Sequence, residues 1–345
     1  MKKAGKDGVK IARYIHLFLN NYAPVRKTGS ENTLKSYRVA IEMYLTFLED
    51  EKKVTPHTLN ISCFNSGNIE EWLLWMKETR HNGNNTCNVR LASLRTFLNY
   101  LGEQDAGYLS FALEASRIER MKKEKHPVKG ISRQAVKTLL EAPNLSKGTG
   151  KRDFVFMLIL YSTACRLNEA LSIRIMDIQI DRHKPNITIT GKGNKIRTLY
   201  LMPQTIVHIQ KYIMEFHGAK PEKDAYLFYS RNKGQFGKLS ETAAENILRK
   251  NAGIAHGKCE EVPLNLHPHQ LRHSRSTHWL EDGVNIVQIS SLLGHEHLET
   301  TMIYIDVTSD QQVKALATLE TEEEKRISPK WKNYDGSLKN FCGIE

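Results

Sequence analysis

The stretch LLGHEHLETTMIY, residues 292–304, decides how the rest of the chain is read. Its first residues close a helical apolar pattern that runs from Asn285 to Leu293, and His295 stands nine positions before Tyr304. A tyrosine flanked by Ile303 and Ile305 is, taken alone, most often a core aromatic. Three upstream motifs give it a second reading. HPHQLRHS, residues 267–274, sets His269 three positions before Arg272, so that a helix there presents both on one face. STACRLNEAL, residues 162–171, carries Arg166 and, one helical turn on, Glu169. In TGKGNKIRTLYL, residues 190–201, a Gly-bearing turn with Lys192 follows the alternating Ile187 and Ile189 and precedes Ile196, Thr198 and Tyr200, the pattern of a β-hairpin.

Taken in order as Arg, Lys, H-x-x-R, His and Tyr, these motifs resemble the tyrosine recombinase (phage integrase) family over about residues 130–310. The region before them is similar to that family's core-binding domain in length and helical character. The resemblance implies a mainly α fold with a small antiparallel sheet in the C-terminal domain, preceded by a helical bundle. It implies that Tyr304 is a nucleophile that becomes joined to DNA as a 3′-phosphotyrosine, leaving a free 5′-hydroxyl. It further implies that Lys192 acts as general acid, that His295 donates a hydrogen bond to the scissile phosphate, and that Glu169 orients its neighbours. No cofactor, metal or ATP is expected, and the expected partners are double-stranded DNA and further copies of the chain, as a tetramer on two paired sites. Ala164 departs from the pattern, the family commonly having Gly there.

The residue types suit this chemistry on physical grounds. Attack on a phosphodiester gathers negative charge on the non-bridging oxygens of a five-coordinate phosphorus, and a metal-free site must meet it with fixed cations and donors. Arg166 and Arg272 can supply forked guanidinium donors that stay charged at any working pH. With a phenol pKa of about 10, Tyr304 needs a base or cations that stabilise the phenolate, and His269 is the residue assigned as base. Each residue also has a plainer reading. Arg166 can be a snorkelling surface cation, Tyr304 a core aromatic, and His267, His269 and His273 structural histidines or metal ligands. GKGNK lacks the spacing and the terminal GK[ST] of a P-loop, and Lys195 and Arg197 lie close enough that Lys192's role rests on its place in GKG.

The 345 residues allow two domains, and 50 Lys plus Arg against 38 Asp plus Glu give a net charge of +12, which favours a polyanionic partner. Five scattered cysteines with no C-x-x-C argue against a disulfide framework or a zinc site and suggest a reducing cytoplasm. No apolar run is long enough to span a bilayer. Residues 1–115 read as a bundle of about four helices, 116–130 as a charged linker, 131–307 as the catalytic domain and 308–345 as a tail. Within the bundle, Lys35, Arg38, Arg90 and Arg95 are candidates for phosphate contacts, or are merely solvated faces. In the tail, Thr308 to Leu319 can form a helix with Val313, Leu316 and Leu319 on one face, which either docks on a neighbouring subunit, as the resemblance implies, or packs on its own domain. The functions weighed are site-specific strand exchange by an integrase, resolvase or transposase of a mobile element, relaxation of DNA by a type IB topoisomerase, and non-catalytic DNA binding.

Overall fold

The computed structural model describes residues 5–122, 130–180, 183–191, 195–295 and 297–302. Lys192, Tyr304, the middle of the expected linker and the segment Thr308 to Leu319 lie outside the described residues. The chain divides into two units, residues 1–126 and 127–345, and each is built around its own core.

The first unit is wholly helical among its described residues. Its apolar stripes place α1 (Lys6–Leu17), α2 (Glu31–Asp50), α3 (Ser66–Glu78) and α4 (Asn84–Gln104) around a core that includes Phe18, Tyr44, Trp72 and Phe97. Pro24 does not end the first helical run. α1 runs on as a wider π-helical stretch, Phe18–Lys27, which accommodates Pro24 and ends where the Thr28 amide donates to the Ala23 carbonyl at 3.0 Å. Ser30 does precede α2, but its side chain makes no capping bond, whereas Asn65 caps α3 through the Asn68 amide. A fifth helix, α5 (Leu109–Arg117), is one that the apolar pattern did not reveal, and the chain beyond it stays on the bundle, with Ile118 buried and Met121 packed against the core.

In the second unit, α6 (Arg133–Leu140), α7 (Gly148–Thr163) and the short α8 (Leu167–Ser172) lead into a small antiparallel sheet. Its strands are β1 (Ile178–Gln179), β2 (Asn186–Thr190) and β3 (Ile196–Tyr200), in that order. The register pairs Ile187 with Leu199 and Ile189 with Arg197, so these four share one face. Ile187, Ile189 and Leu199 are buried there, while Ile196 and Tyr200 point away and are exposed. Then follow α9 (Pro203–His217), a second hairpin of β4 (Tyr229–Ser230) and β5 (Gly234–Lys238) that was not expected, α10 (Glu241–His256), α11 (Pro268–Glu281), α12 (Ile286–Leu293) and the single turn α13 (Glu299–Met302). Ser132 caps α6, its hydroxyl accepting from the Ala135 amide. The mainly α architecture with small antiparallel sheets is therefore as the motifs implied. No helix among the described residues is long and apolar enough to cross a membrane.

Candidate active site

Arg166 is the residue that enters α8, its backbone extended and its amide donating to the Glu169 carboxylate at 2.8 Å. The same carboxylate accepts from the Arg166 guanidinium at 3.0 Å, so one acidic side chain fixes both ends of Arg166. Glu169 is buried, and Arg197 of β3 meets it bidentately, Nη1 to Oε1 at 3.1 Å and Nη2 to Oε2 at 2.6 Å. Burial pushes the Glu169 carboxyl up, but the bonds from Arg197 and Arg166 outweigh it and hold the group below the usual carboxylate range. Glu169 thus sits as an anion between two arginines.

Arg272 lies on the first turns of α11 and is almost fully buried. Its guanidinium donates to the carbonyls of Ala164 and Leu293, both at 2.7 Å, and its Nη2 stands 3.1 Å from His295 Nε2. A guanidinium can only donate, so Nε2 accepts there and the neutral ring carries its hydrogen on Nδ1, facing the Thr301 hydroxyl at 2.7 Å. Burial, then Arg272, Arg166 and Arg197, hold the His295 pKa down to about 4. His269, one turn before Arg272, is lowered in the same way, by desolvation first and then by the charges of Arg272 and Arg166. His269 and His295 are thus both neutral near pH 7 and both within electrostatic reach of the same two arginines.

The backbone that aims these groups is unusual at two points. Ala164 ends α7 in the left-handed region at φ 50°, a conformation that costs an L-residue about 1 to 2 kcal/mol. That accounts for glycine as the family's usual choice, and the carbonyl so turned is the one that receives Arg272. Gly294 ends α12 at φ 64°, and a Cβ there would also stand 3.1 Å from Arg197 Nη1. Arg166, Arg197, Gly294, His295, His297 and Thr300 line a cleft of about 480 Å³.

The sequence-assigned residues Arg166, Glu169, Arg272, His269 and His295 are therefore drawn together by two separate helices, α8 and α11, and the turn after α12. Lys192 and Tyr304 lie outside the described residues, the first between β2 and β3 in the sequence, the second two positions after α13 ends. Arg197 and Thr301 were missed as members of this cluster. A charged residue in phase with Ile187, Ile189 and Leu199 on an inward face was the available signal for Arg197, whereas Thr301 left none. Among the described residues no group of three or more His, Cys, Asp or Glu is arranged to hold a metal ion.

The four bundle cations separate into two kinds. Lys35 and Arg38 on α2 are exposed. Arg90 reaches from α4 to the Ser36 hydroxyl at 3.1 Å, beside a groove between α2 and α4 lined by Thr33, Ser36, Ser93 and Thr96. Arg95 is turned inward, donating to the carbonyls of Ala115 and Ile118 at the end of α5.

Residues 129–311 match the Phage integrase family, and residues 15–105 match the phage integrase N-terminal SAM-like domain. Tyrosine recombinase XerC of Chlamydia caviae is 28% identical over 300 residues, covering 82% of this chain and 90% of that protein. Tyrosine recombinase XerA of Thermococcus kodakarensis is 29% identical over 286 residues, covering 80% and 93%. Among solved structures, XerH site-specific recombinase bound to palindromic difH substrate aligns with a TM-score of 0.65 at 17% identity, over 92% of this chain and 98% of that one. The Tn1549 transposon integrase in complex with transposon right end DNA aligns with a TM-score of 0.64 at 16% identity, over 88% and 99%. These two likenesses are of fold.

Proposed function

The chain belongs to the phage integrase family, the tyrosine recombinases, and from that premise we propose that it carries out site-specific DNA strand exchange through a covalent 3′-phosphotyrosine, as an integrase, resolvase or transposase of a mobile element. The observation that carries this reading is that Arg166 and His295 line one cleft, with Arg272 bonded to His295 behind it, His269 within electrostatic reach of both arginines, and Glu169 shared between Arg166 and Arg197. Such a cleft holds more guanidinium charge than Glu169 balances, and a phosphodiester supplies the missing anion.

In this reading Tyr304 Oη attacks the scissile phosphorus and passes its proton to His269, whose lowered pKa leaves the imidazole unprotonated and able to accept. Arg166 and Arg272 meet the charge on the non-bridging oxygens. The 5′ oxygen departs with a proton from Lys192. His295 has a further requirement. Its Nε2 accepts from Arg272 before DNA arrives, so donation to a phosphate needs a proton on that nitrogen, which the incoming negative charge favours. The phosphotyrosine keeps the energy of the broken bond, so a 5′-hydroxyl from a second duplex can reverse the step on a new strand without ATP or metal. Double-stranded DNA at specific core sites, with a tetramer on two paired sites, is the assembly this exchange calls for, and a tetrameric λ integrase on a Holliday junction shares the fold.

Nicked duplexes carrying candidate core sites, sought as short inverted repeats in the DNA that flanks the gene, test the proposal. The parent chain is expected to yield a covalent DNA adduct, mapped to Tyr304 by peptide mass spectrometry. Tyr304→Phe is expected to bind the same duplex with near-parental affinity and to give none. An adduct that survives this substitution overturns the assignment.

A further inference from the structure

Arg197 belongs to none of the roles assigned above, yet its guanidinium is bound at three points. From β3 it reaches Glu169 with both terminal nitrogens, and its Nε donates to the Leu292 carbonyl at 3.0 Å. Its side chain is only 13% exposed. Two glycines make room for it. A Cβ on Gly191 would stand 3.2 Å from Glu169 Oε1 and 3.3 Å from Arg197 Nη1, and one on Gly294 would meet Arg197 at 3.1 Å. The guanidinium therefore lies against two backbones that carry no side chain, at the junction of the sheet, the start of α8 and the end of α12.

These attachments have a direction. Through Glu169, Arg197 fixes the carboxylate that holds Arg166 by its amide and its guanidinium. Through Leu292 and its contact with Gly294, it fixes the turn from which His295 projects. We propose that Arg197 is a positioning residue that sets Arg166 and His295 relative to one another, without itself touching DNA. The inference rests on the strand-exchange reading given above. Each of the three guanidinium nitrogens donates to a protein oxygen, which turns the fork toward Glu169 and Leu292, so Arg197 acts through the groups it holds. A lysine keeps the charge but offers one compact donor group in place of the fork and cannot span Glu169 and Leu292 together.

The test uses the full chain, with single-turnover cleavage of the nicked duplex and a second duplex whose scissile phosphate is a methylphosphonate. Replacing one non-bridging oxygen by methyl removes the phosphate's charge and with it much of the demand for aligned cations. Arg197→Met is expected to slow cleavage of the ordinary phosphate by about 100-fold, the scale at which a misplacement of about 1 Å acts, with Kd for DNA changed less than about threefold. Arg197→Lys is expected to stay within about tenfold of Arg197→Met, and it serves as the folded comparison should the methionine variant fail to fold. On the methylphosphonate the defect of both variants relative to the parent is expected to shrink at least about tenfold. A parental rate in Arg197→Lys, or an equal defect on both duplexes, overturns the inference while leaving strand exchange intact. A parent chain that forms no adduct overturns the strand-exchange reading, and this inference with it.

Discussion

Arg95 in the helical bundle and Arg272 in the second unit are held alike, and the difference between them shows what makes an arginine part of a site. Each is turned inward and donates to two backbone carbonyls, Ala115 and Ile118 for Arg95, Ala164 and Leu293 for Arg272. Arg95 closes the end of α5, with the charge of Arg120 also within reach. Arg272 keeps Nη2 beside His295 and shares an electrostatic neighbourhood with Arg166. Backbone anchoring is common to both; a bond to a histidine that lines a cleft belongs to one. The sequence separated them by motif alone, since Arg272 stands three positions after His269 whereas Arg95 was one of four bundle cations with no such partner.

The sharpest way to break this comparison is to remove both side chains. Arg272→Ala is expected to reduce the single-turnover cleavage rate by about 10³-fold or more, the range found when an arginine that meets transferring phosphate is lost. Arg95→Ala is expected to leave the chemistry of the folded chain unchanged while costing about 1 to 3 kcal/mol of stability, since two carbonyls at the end of α5 lose their donor. Urea unfolding and cleavage of the same preparations check both. A large cleavage defect in folded Arg95→Ala would erase the distinction.

Acid distinguishes the two units next. His295 titrates at about 4 in the folded chain and near its ordinary 6.5 when unfolded, and His269 shifts in the same direction. The unfolded chain therefore takes up protons first, so the stability present above about 6.5 is lost as pH falls toward 4. His208, His217, His273 and His278 are lowered by burial as well, so thermal unfolding at stepped pH is expected to show this slope for the second unit, and His295→Gln is expected to reduce it in part. A slope unchanged by that substitution would mean that other groups carry it.

The smallest effects belong to the exposed bundle cations. If Lys35 and Arg38 contact phosphates, replacing either by Ala lowers the slope of log affinity against log salt by about 1, without altering which DNA sequence is preferred. An unchanged slope would leave them as solvated residues.

The legible part of the molecule was that written in periodicity and in motif order. The stripes of α1 to α4, the β2–β3 hairpin and the convergence of His269 with Arg272 all followed from spacing. The helix α5 and the second hairpin were not read, because α5 is only nine residues long and β5 contains Gly234 and Gly237, which dilute any strand pattern. In β3 the alternation itself was visible but not its inward phase. Ile196 and Tyr200 are the apolar residues of that strand most readily taken for core, yet the register turns Arg197 and Leu199 inward instead. The Thr301 hydroxyl meets His295 six positions away because of how α13 is placed after α12, which spacing does not encode.

The carbonyls that hold Arg272 and Arg197 are those of Ala164, Leu292 and Leu293, and they lie at the C-terminal ends of α7 and α12. Aligned peptide dipoles give each such end about half a negative elementary charge. Two helices aimed at one cluster thus offer roughly the attraction of one carboxylate without adding a titratable group. That attraction cannot be switched off by a proton, and it adds no formal charge that an incoming phosphate must repel. The two arginines are thus held close together by oriented peptide groups, to which Glu169 adds a carboxylate for Arg197 alone.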